Sequence, residues 1–157
     1  RTVICSPEGL ADVDLEYPII VKPVFGDNAE GLVVLDEPAD LKRLRWRDSE
    51  VIVQEYRPGS GVDLKLYVID DFIAAVRRPS PISRCTARSL GVVPVNDALR
   101  DIIKRVSAAF GLRFFGVDCL EVGGRLEVLE VNDFPNYSSV PNASELLAEH
   151  VLRRAVA

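Results

Sequence analysis

The sequence predicts an α+β protein in which mostly antiparallel sheets are partly covered by helices. Two observations favour this class. Predicted strands outnumber predicted helices, and most neighbouring strands are joined by short turns that make hairpins. The 157 residues, 48% hydrophobic and 27% charged, suit one globular domain or two small lobes.

Charge and hydropathy exclude several classes of partner. The net charge of −5 argues against a general nucleic-acid binder, although Arg77, Arg78, Arg84 and Arg88 form a local basic segment. No apolar run reaches the roughly 18 residues of a membrane span, so we expect no membrane partner.

Cysteine and histidine usage points away from disulfide and hydrolase chemistry. Cys5, Cys85 and Cys119 are scattered, with neither metal-ligand spacing nor a disulfide framework, which favours a reducing cytoplasm. The single histidine, His150, falls in a predicted C-terminal helix away from any candidate nucleophile. We interpret it as structural or solvent-exposed.

The first third of the chain alternates strands with polar segments. Strands are predicted at residues 1–5, 19–24, 31–36 and 51–56. Residues 6–18 are expected to be a polar connector, and residues 37–46 a short helix with Pro38 in its first turn. Gly26 and Gly31 bound a loop between the second and third strands.

The remainder is predicted to contain two hairpins and two helices. Strands at 63–70 and 72–78 meet across Asp70-Asp71, and a polar, arginine-bearing connector covers 79–94. A helix capped by Asn96 and ended by Gly111 carries apolar residues at three- and four-residue spacing. The second hairpin joins 113–122 to 125–132. The last helix starts near Ala143, with Asn142 and Glu145 spaced like a capping pair.

Three oxygen-bearing residues of the second hairpin can share one face only in certain registers. A two-residue turn at Gly123-Gly124 places Asp118 opposite Leu129, and Glu130 then points to the other face. A three-residue loop ending at Arg125 pairs Asp118 with Glu130, with Asn132 on the same face. We expect the three-residue loop, or else a bulge that restores parity.

Two carboxylates and an amide oxygen form a hard-oxygen ligand set. Mg²⁺ usually takes one or two carboxylates together with waters and substrate phosphates. Asp118, Glu130 and Asn132 are therefore candidate metal ligands. The alternative is a solvent-facing edge strand, where acidic side chains are ordinary.

Three cationic residues could face phosphates. Lys22 interrupts an apolar strand and lies just before the glycine-bounded loop, and a buried lysine needs an anion or a route to the surface. Lys65 shares a strand face with Asp63, which would also suit a simple ion pair. Arg78 precedes Pro79 at a strand end, where a guanidinium fork suits phosphate oxygens or lies solvated.

The order of these motifs resembles the ATP-grasp superfamily over nearly the whole chain. Three pairs of stretches are most similar to the inositol trisphosphate 5/6-kinases: IIVKP with VIVQEY, DLKLYVID with RRPS, and FGVD with LEVNDFPNYSSVP. The ribosomal-protein glutamate ligases share the same frame with a different tail after the asparagine. Here Asn136 stands where the kinase pattern prefers glycine, and Glu130 where it has aspartate.

The resemblance implies ATP and Mg²⁺ as cofactors and assigns residue roles. Lys22 would contact the α/β-phosphates, and Lys65 and Arg78 would face the phosphates or a phosphorylated substrate. The implied nucleotide-binding set comprises Lys22, the flap from Gly26 to Gly31, Lys65, and the backbone of Gln54, Glu55 and Tyr56 around adenine. The implied metal ligands are Asp118, Glu130 and Asn132.

The resemblance also implies an organisation and an activity. Residues 1–56 would be the central ATP-grasp subdomain and 57–157 the C-terminal one, sandwiching the nucleotide. The usual N-terminal domain has no counterpart, so we expect a fragment or an unusually small member. The implied activity is transfer of the γ-phosphate of ATP to a hydroxyl of a phosphorylated polyol. The alternatives are a carboxylate–amine ligase acting through an acyl phosphate, and a non-catalytic binding module.

Overall fold

The computed structural model describes residues 1–26, 29–82 and 90–155. The chain divides into two compact units, Arg1–Pro58 and Gly59–Ala157. Each unit contains one sheet, and every strand pair in both sheets is antiparallel. This architecture confirms the predicted α+β class. No helix in the described part of the chain is long and apolar enough to cross a membrane.

The unit Arg1–Pro58 is built on a four-stranded sheet of order β1-β4-β2-β3. Its strands are β1 Thr2–Cys5, β2 Ile19–Pro23, β3 Val33–Leu35 and β4 Val51–Glu55. One buried apolar cluster packs on the sheet: Leu10, Leu15, Ile19, Val21, Leu35, Val51 and Val53. Because strand side chains alternate, Lys22 is turned away from the face that buries Val21.

Two short 3₁₀ helices cross this unit, and the first was not expected. Residues 6–18 are not a plain connector, because Pro7–Asp12 forms a 3₁₀ helix whose start is capped by Ser6. The Ser6 hydroxyl oxygen accepts a hydrogen bond from the Gly9 amide at 3.2 Å. The predicted helix at 37–46 is a shorter 3₁₀ helix, Pro38–Arg43, with proline at its start as predicted.

The unit Gly59–Ala157 has a five-stranded sheet of order β7-β6-β5-β8-β9. Its elements are β5 Val62–Ile69, β6 Phe72–Pro79, β7 Gly91–Val93, α1 Asp97–Phe110, β8 Phe114–Val122, β9 Arg125–Asn132 and α2 Ala143–Ala155. Strand β7 lies inside the predicted connector at 79–94 and is too short for a periodic signal. Arg84, Cys85 and Arg88 of that connector lie outside the described residues.

Helix α1 matches its predicted bounds because both caps form. The Asn96 side-chain oxygen accepts a hydrogen bond from the Leu99 amide at 3.0 Å. Gly111 ends the helix in the left-handed region at φ 68°. Phe110, predicted to belong to the apolar stripe, is 64% exposed.

The five-stranded sheet is covered on both faces. Helix α1 packs on the face that carries Leu66, Phe115 and Val117. Tyr137 and the start of α2 cover the opposite face, where Tyr67 and Val76 point. Since side chains alternate along a strand, Lys65 on β5, Arg78 on β6 and Asp118 on β8 all fall on the Tyr67 face. The alternation therefore gathers charged groups from three neighbouring strands on one side of the sheet.

Cys119 should be chemically inert in the folded protein. Its side chain is 0% exposed, and burial, together with the charge of Asp118, raises the pKa of the thiol to about 11. We expect no alkylation of Cys119 by iodoacetamide at pH 8 until denaturant is added, with peptide mass mapping as the measurement. Cys5, which is partly exposed, serves as the comparison. Equal native and denatured labelling rates at Cys119 would contradict its burial.

Candidate functional site

The register of the acidic hairpin differs from the expected loop but brings the expected residues together. The three-residue loop is wrong: Val122 pairs with Arg125 across a two-residue turn. The alternative, a bulge that restores parity, is present, because Cys119 pairs with Val128 while Asp118 pairs with Glu130. Leu129 is thus the extra residue on β9. Asp118 and Glu130 face each other, as the metal hypothesis requires.

Glycine explains why the turn is so tight. Gly123 and Gly124 both have positive φ, at 56° and 75°. Two consecutive left-handed residues are the signature of a type I′ hairpin turn, in which glycine carries no steric penalty. The loop length therefore follows from the Gly-Gly pair. The extra residue Leu129 then shifts the register by one, so that Glu130 faces Asp118.

Five polar side chains form one connected network on this face. Asp118 Oδ2 accepts hydrogen bonds from Lys65 Nζ at 3.0 Å and from Asn132 Nδ2 at 3.1 Å. Asp118 Oδ1 accepts one from Arg78 Nη2 at 3.1 Å. Asn132 Nδ2 also donates to Glu130 Oε1 at 3.0 Å. Both oxygens of Asp118 thus accept hydrogen bonds from cations, one on β5 and one on β6.

The network is buried at its centre and open at its edge. The side chains of Lys65 and Asp118 are 10% and 11% exposed, and that of Arg78 is 33% exposed. Glu130 is exposed on β9, the edge strand of the sheet. An ordinary acidic surface would explain Glu130 but not Asp118, because burying a charge is costly unless it is paired. The geometry therefore favours a built site over a solvated edge.

A second buried acid lies beside the network. Asp63 on β5 is 6% exposed and directly faces Arg78 on β6. Burial raises the pKa of its carboxyl group, while Ser80 and the positive charge of Arg78 act in the opposite direction. Sequence reasoning treated Asp63 only as a possible partner of Lys65. The alternation of side chains along β5 is the signal that places Asp63 and Lys65 on the same face as the network.

Gly116 makes room for the lysine. A Cβ atom built there would lie 3.1 Å from the Pro135 ring and 3.3 Å from Lys65 Cε. Lys65 Nζ also lies 5.8 Å from the centre of the Tyr67 ring, within cation–π range. A larger residue at this position would push the lysine stem or the proline, so the glycine sets the position of the ammonium group.

The segment after Asn132 is held down by an aromatic residue. The Tyr137 hydroxyl donates a hydrogen bond to the Val68 carbonyl at 3.0 Å, and its ring lies 5.9 Å from that of Tyr67. Burial raises the pKa of Tyr137 to about 12, so its hydroxyl stays protonated as a donor at neutral pH. This anchor keeps the chain from Asp133 to Asn136 beside the site.

The donor set fits Mg²⁺. Among the described residues, no group of three His, Cys, Asp or Glu side chains comes together. Within this described part, the site offers the two facing carboxylates and one amide, which suits an ion that keeps waters and binds substrate phosphates. Rotation of the Asn132 amide would turn its oxygen toward the two carboxylates, where the amide now donates two hydrogen bonds.

In the unit Arg1–Pro58, Lys22, which was expected to contact phosphates, is held by Gln54, which was expected near adenine. Lys22 Nζ donates to Gln54 Oε1 at 2.8 Å, and Gln54 Nε2 donates to Thr2 Oγ1 at 3.1 Å. Lys22 thus has a defined position on the face of its sheet opposite Val21. In the predicted flap between Gly26 and Gly31, residues 27 and 28 lie outside the described part of the chain.

The expected adenine contacts are constrained by the backbone of β4. The Glu55 amide donates to the Arg1 carbonyl at 3.1 Å, and the Tyr56 amide donates to the Pro18 carbonyl at 2.8 Å. Both N–H groups are used inside the Arg1–Pro58 unit. Any contact with adenine along Gln54–Tyr56 must therefore use other backbone groups.

The sequence profile of the RimK-like ATP-grasp domain matches residues 7–149. The chain belongs to the RimK-like ATP-grasp family. The predicted superfamily is confirmed by this match, which covers both compact units.

Similar sequences are inositol phosphate kinases by name. This ATP-grasp chain is 24% identical to inositol-tetrakisphosphate 1-kinase 3 from Arabidopsis thaliana, over 93% of this chain and 50% of that protein. It is 23% identical to inositol-tetrakisphosphate 1-kinase from Danio rerio, over 87% of this chain and 42% of that protein. The chain therefore spans about half the length of the curated relatives it matches.

Solved structures confirm the ATP-grasp fold. The ATP-grasp ligase PsnB, complexed with minimal precursor, is 26% identical with a TM-score of 0.66, covering 96% of this chain and 54% of that one. A RimK domain protein ATP-grasp from Sphaerobacter thermophilus gives a TM-score of 0.70 at 18% identity, covering 97% and 60%. PsnB has also been solved with Mg and ADP.

The ATP-grasp structure joins some predicted site residues and leaves others in separate units. Lys65, Arg78, Asp118, Glu130 and Asn132 form one network in Gly59–Ala157, while Lys22 and Gln54 form a pair in Arg1–Pro58. Their roles toward ATP and metal stay predictions.

Proposed function

We propose that this chain binds Mg²⁺–ATP and is the nucleotide-binding part of an enzyme that transfers the γ-phosphate to a hydroxyl of a phosphorylated polyol. One observation carries the proposal. Asp118 and Glu130 oppose each other across a bulged hairpin, with Lys65 and Arg78 already at the Asp118 oxygens. In this scheme residues 1–56 and 57–157 act as the central and C-terminal ATP-grasp subdomains.

The chain's own residues supply positioning and charge. Asp118, Glu130 and Asn132 would hold Mg²⁺, and the bound ion would neutralise phosphate oxygens. Lys65 offers a compact point charge and Arg78 a planar fork, and both suit phosphate oxygens. Lys22, held by Gln54, would contact the α/β-phosphates. Phosphoryl transfer depends mainly on such positioning and electrostatic stabilisation.

The kinase assignment is supported by the relatives and by one arginine of the network. The similar sequences named above are inositol-tetrakisphosphate 1-kinases. Arg78, one residue before the end of strand β6, belongs to the network, and positive charge there favours a phosphorylated acceptor. Free thiols at Cys5 and Cys119 are compatible with a cytoplasmic setting.

A carboxylate–amine ligase is the second candidate. The likeness to the ligase PsnB at 26% identity favours it, since that protein is solved with a minimal precursor. A ligase would use the same ATP site to make an acyl phosphate. A non-catalytic nucleotide-binding module is the third candidate, and it would bind without turnover.

Nucleotide binding should depend on the metal. We expect ATP to bind at least about 100-fold more tightly with Mg²⁺ than without it, because Asp118 and Glu130 would hold the ion that neutralises the phosphates. Isothermal titration calorimetry of ATP, with Mg²⁺ and with EDTA, measures this. Absence of binding under both conditions would remove the kinase and the ligase together.

The acceptor distinguishes the two enzyme classes. The protein is incubated with Mg²⁺–ATP and either a panel of inositol phosphates or paired amino acids, and products are identified by mass spectrometry. A kinase transfers one phosphoryl group to one hydroxyl of an inositol phosphate, and the product keeps that phosphate. A ligase releases ADP and free phosphate only when both an acid and an amine are supplied. Products from the amino acids alone would overturn the kinase proposal.

A further inference from the structure

Asp63 is a buried acid that the proposed reaction does not yet use. It is 6% exposed, and it lies between Arg78 on β6 and Leu120 on β8 in the strand register. Alternation along β5 puts it on the same face as Lys65. A carboxylate is rarely this buried without a role in pairing.

Asp63 and Arg78 each carry an orphaned polar atom. Within the described residues, the buried side-chain atoms without a hydrogen-bond partner are Asp63 Oδ1 and Arg78 Nε. One is an acceptor and the other a donor. Directly opposed strand residues have Cβ atoms about 5 Å apart, so a carboxylate and a guanidinium at these positions can meet. Leaving both atoms unpaired is costly, because each has lost its hydrogen bonds to water.

In this cluster each buried charge needs a partner of opposite sign, so Arg78 must stay beside one of the two carboxylates. Asp63 and Asp118 bring two negative charges, and Lys65 and Arg78 bring two positive ones. Arg78 Nη2 now binds Asp118 Oδ1 at 3.1 Å. A divalent cation at Asp118 would compete for that oxygen and repel the guanidinium. The acid that directly faces the displaced guanidinium is Asp63.

We propose that Asp63 is a positioning residue that receives Arg78 from Asp118 when Asp118 coordinates a divalent cation. The inference rests on the proposed metal site. The structure shows the guanidinium paired with Asp118. Once a cation takes the Asp118 oxygen, Arg78 Nε would donate to Asp63 Oδ1, so the two orphaned atoms would satisfy each other. Arg78 then keeps a defined orientation, with its remaining donors available to a phosphate.

The test is a double-mutant cycle on metal affinity. Calorimetry with Mn²⁺, in the presence of a non-hydrolysable ATP analogue, compares wild type, Asp63→Asn, Arg78→Met and the double variant. Asp63→Asn should weaken metal binding about 10-fold, because Arg78 then lacks a second carboxylate and stays on Asp118. In the Arg78→Met background the same substitution should have no effect.

Two further variants separate positioning from folding. Arg78→Lys keeps the positive charge but removes the Nε–H group, so it should weaken Mn²⁺ binding as Asp63→Asn does. Asp71→Asn, at an exposed turn residue, is the matched control and should bind Mn²⁺ like wild type. The melting temperature of metal-free Asp63→Asn should stay equal to or above that of wild type.

The outcomes distinguish failure of the inference from failure of the metal site. Wild-type affinity in Asp63→Asn, or an equal loss of affinity in the wild-type and Arg78→Met backgrounds, overturns the role of Asp63 while the site stands. If wild type itself binds no Mn²⁺ with the nucleotide, the proposed function fails and the inference fails with it.

Discussion

Replacing Glu130 with glutamine should weaken Mg²⁺–ATP binding by about 100-fold and leave folding nearly unchanged. Glu130 faces Asp118 across the bulged hairpin, so its carboxylate is one of the two proposed as metal ligands. Glutamine has the same shape but carries no charge, and a neutral amide is a poor substitute for a carboxylate ligand of Mg²⁺.

Folding should be insensitive to this substitution because of where Glu130 lies. The residue is exposed on the edge strand β9, and its side chain accepts a hydrogen bond from Asn132 Nδ2 at 3.0 Å. The amide oxygen of glutamine can accept the same bond. Surface substitutions of this kind usually change the free energy of unfolding by less than about 0.5 kcal/mol.

Calorimetry and urea denaturation measure the two effects on the same samples. Glu127→Gln is the matched control, since Glu127 is exposed on the same strand but pairs with Leu120 rather than with an acid. We expect the control to bind Mg²⁺–ATP like wild type. Equal nucleotide affinity in Glu130→Gln and wild type would show that Glu130 is not a ligand.

The hairpin shows how far sequence could lead toward this site. Because strand side chains alternate between faces, Asp118 and Glu130 can face each other only across an odd-numbered loop or a bulge. Alternation alone could not choose between them, because the choice depends on backbone energies at Gly123-Gly124 and at Leu129. The Gly-Gly pair accommodates the tight turn, with φ of 56° and 75°, and the bulge then restores the register. The pairing of Asp118 with Glu130 was therefore predictable from the sequence, and the position of the extra residue was not.

Local signals predicted elements only where several signals coincide. Helix α1 has a cap at Asn96, an apolar stripe and a stop at Gly111, and all three are present in the structure. The 3₁₀ helix Pro7–Asp12 and strand β7 Gly91–Val93 were missed, since each is too short to show a period. The burial of Asp63 and the space at Gly116 depend on contacts between strands, which a single sequence does not contain.

Replacing Lys65 with methionine should destabilise the protein by about 3 kcal/mol, the largest effect on folding expected for this site. Lys65 Nζ binds Asp118 Oδ2 at 3.0 Å, and the two side chains are 10% and 11% exposed. Methionine fills much of the space of the lysine stem, so packing beside Gly116 is largely kept. The loss comes from leaving a buried carboxylate with one cation instead of two.

The double variant tests that explanation. Lys65→Met combined with Asp118→Asn removes one positive and one negative charge, so the buried cluster is balanced again. We expect it to recover much of the lost stability in urea denaturation, while Mg²⁺–ATP binding stays lost because Asp118 is a proposed ligand. Stability and binding are thereby separated at one pair of residues.

Lys104→Met is the matched control, because Lys104 is exposed on α1. It should change the free energy of unfolding by less than about 0.5 kcal/mol. Lys65→Met with the stability of this control would mean that Arg78 alone satisfies Asp118. The buried lysine would then be held in place for the phosphates rather than for the fold, and its loss would appear in nucleotide affinity alone.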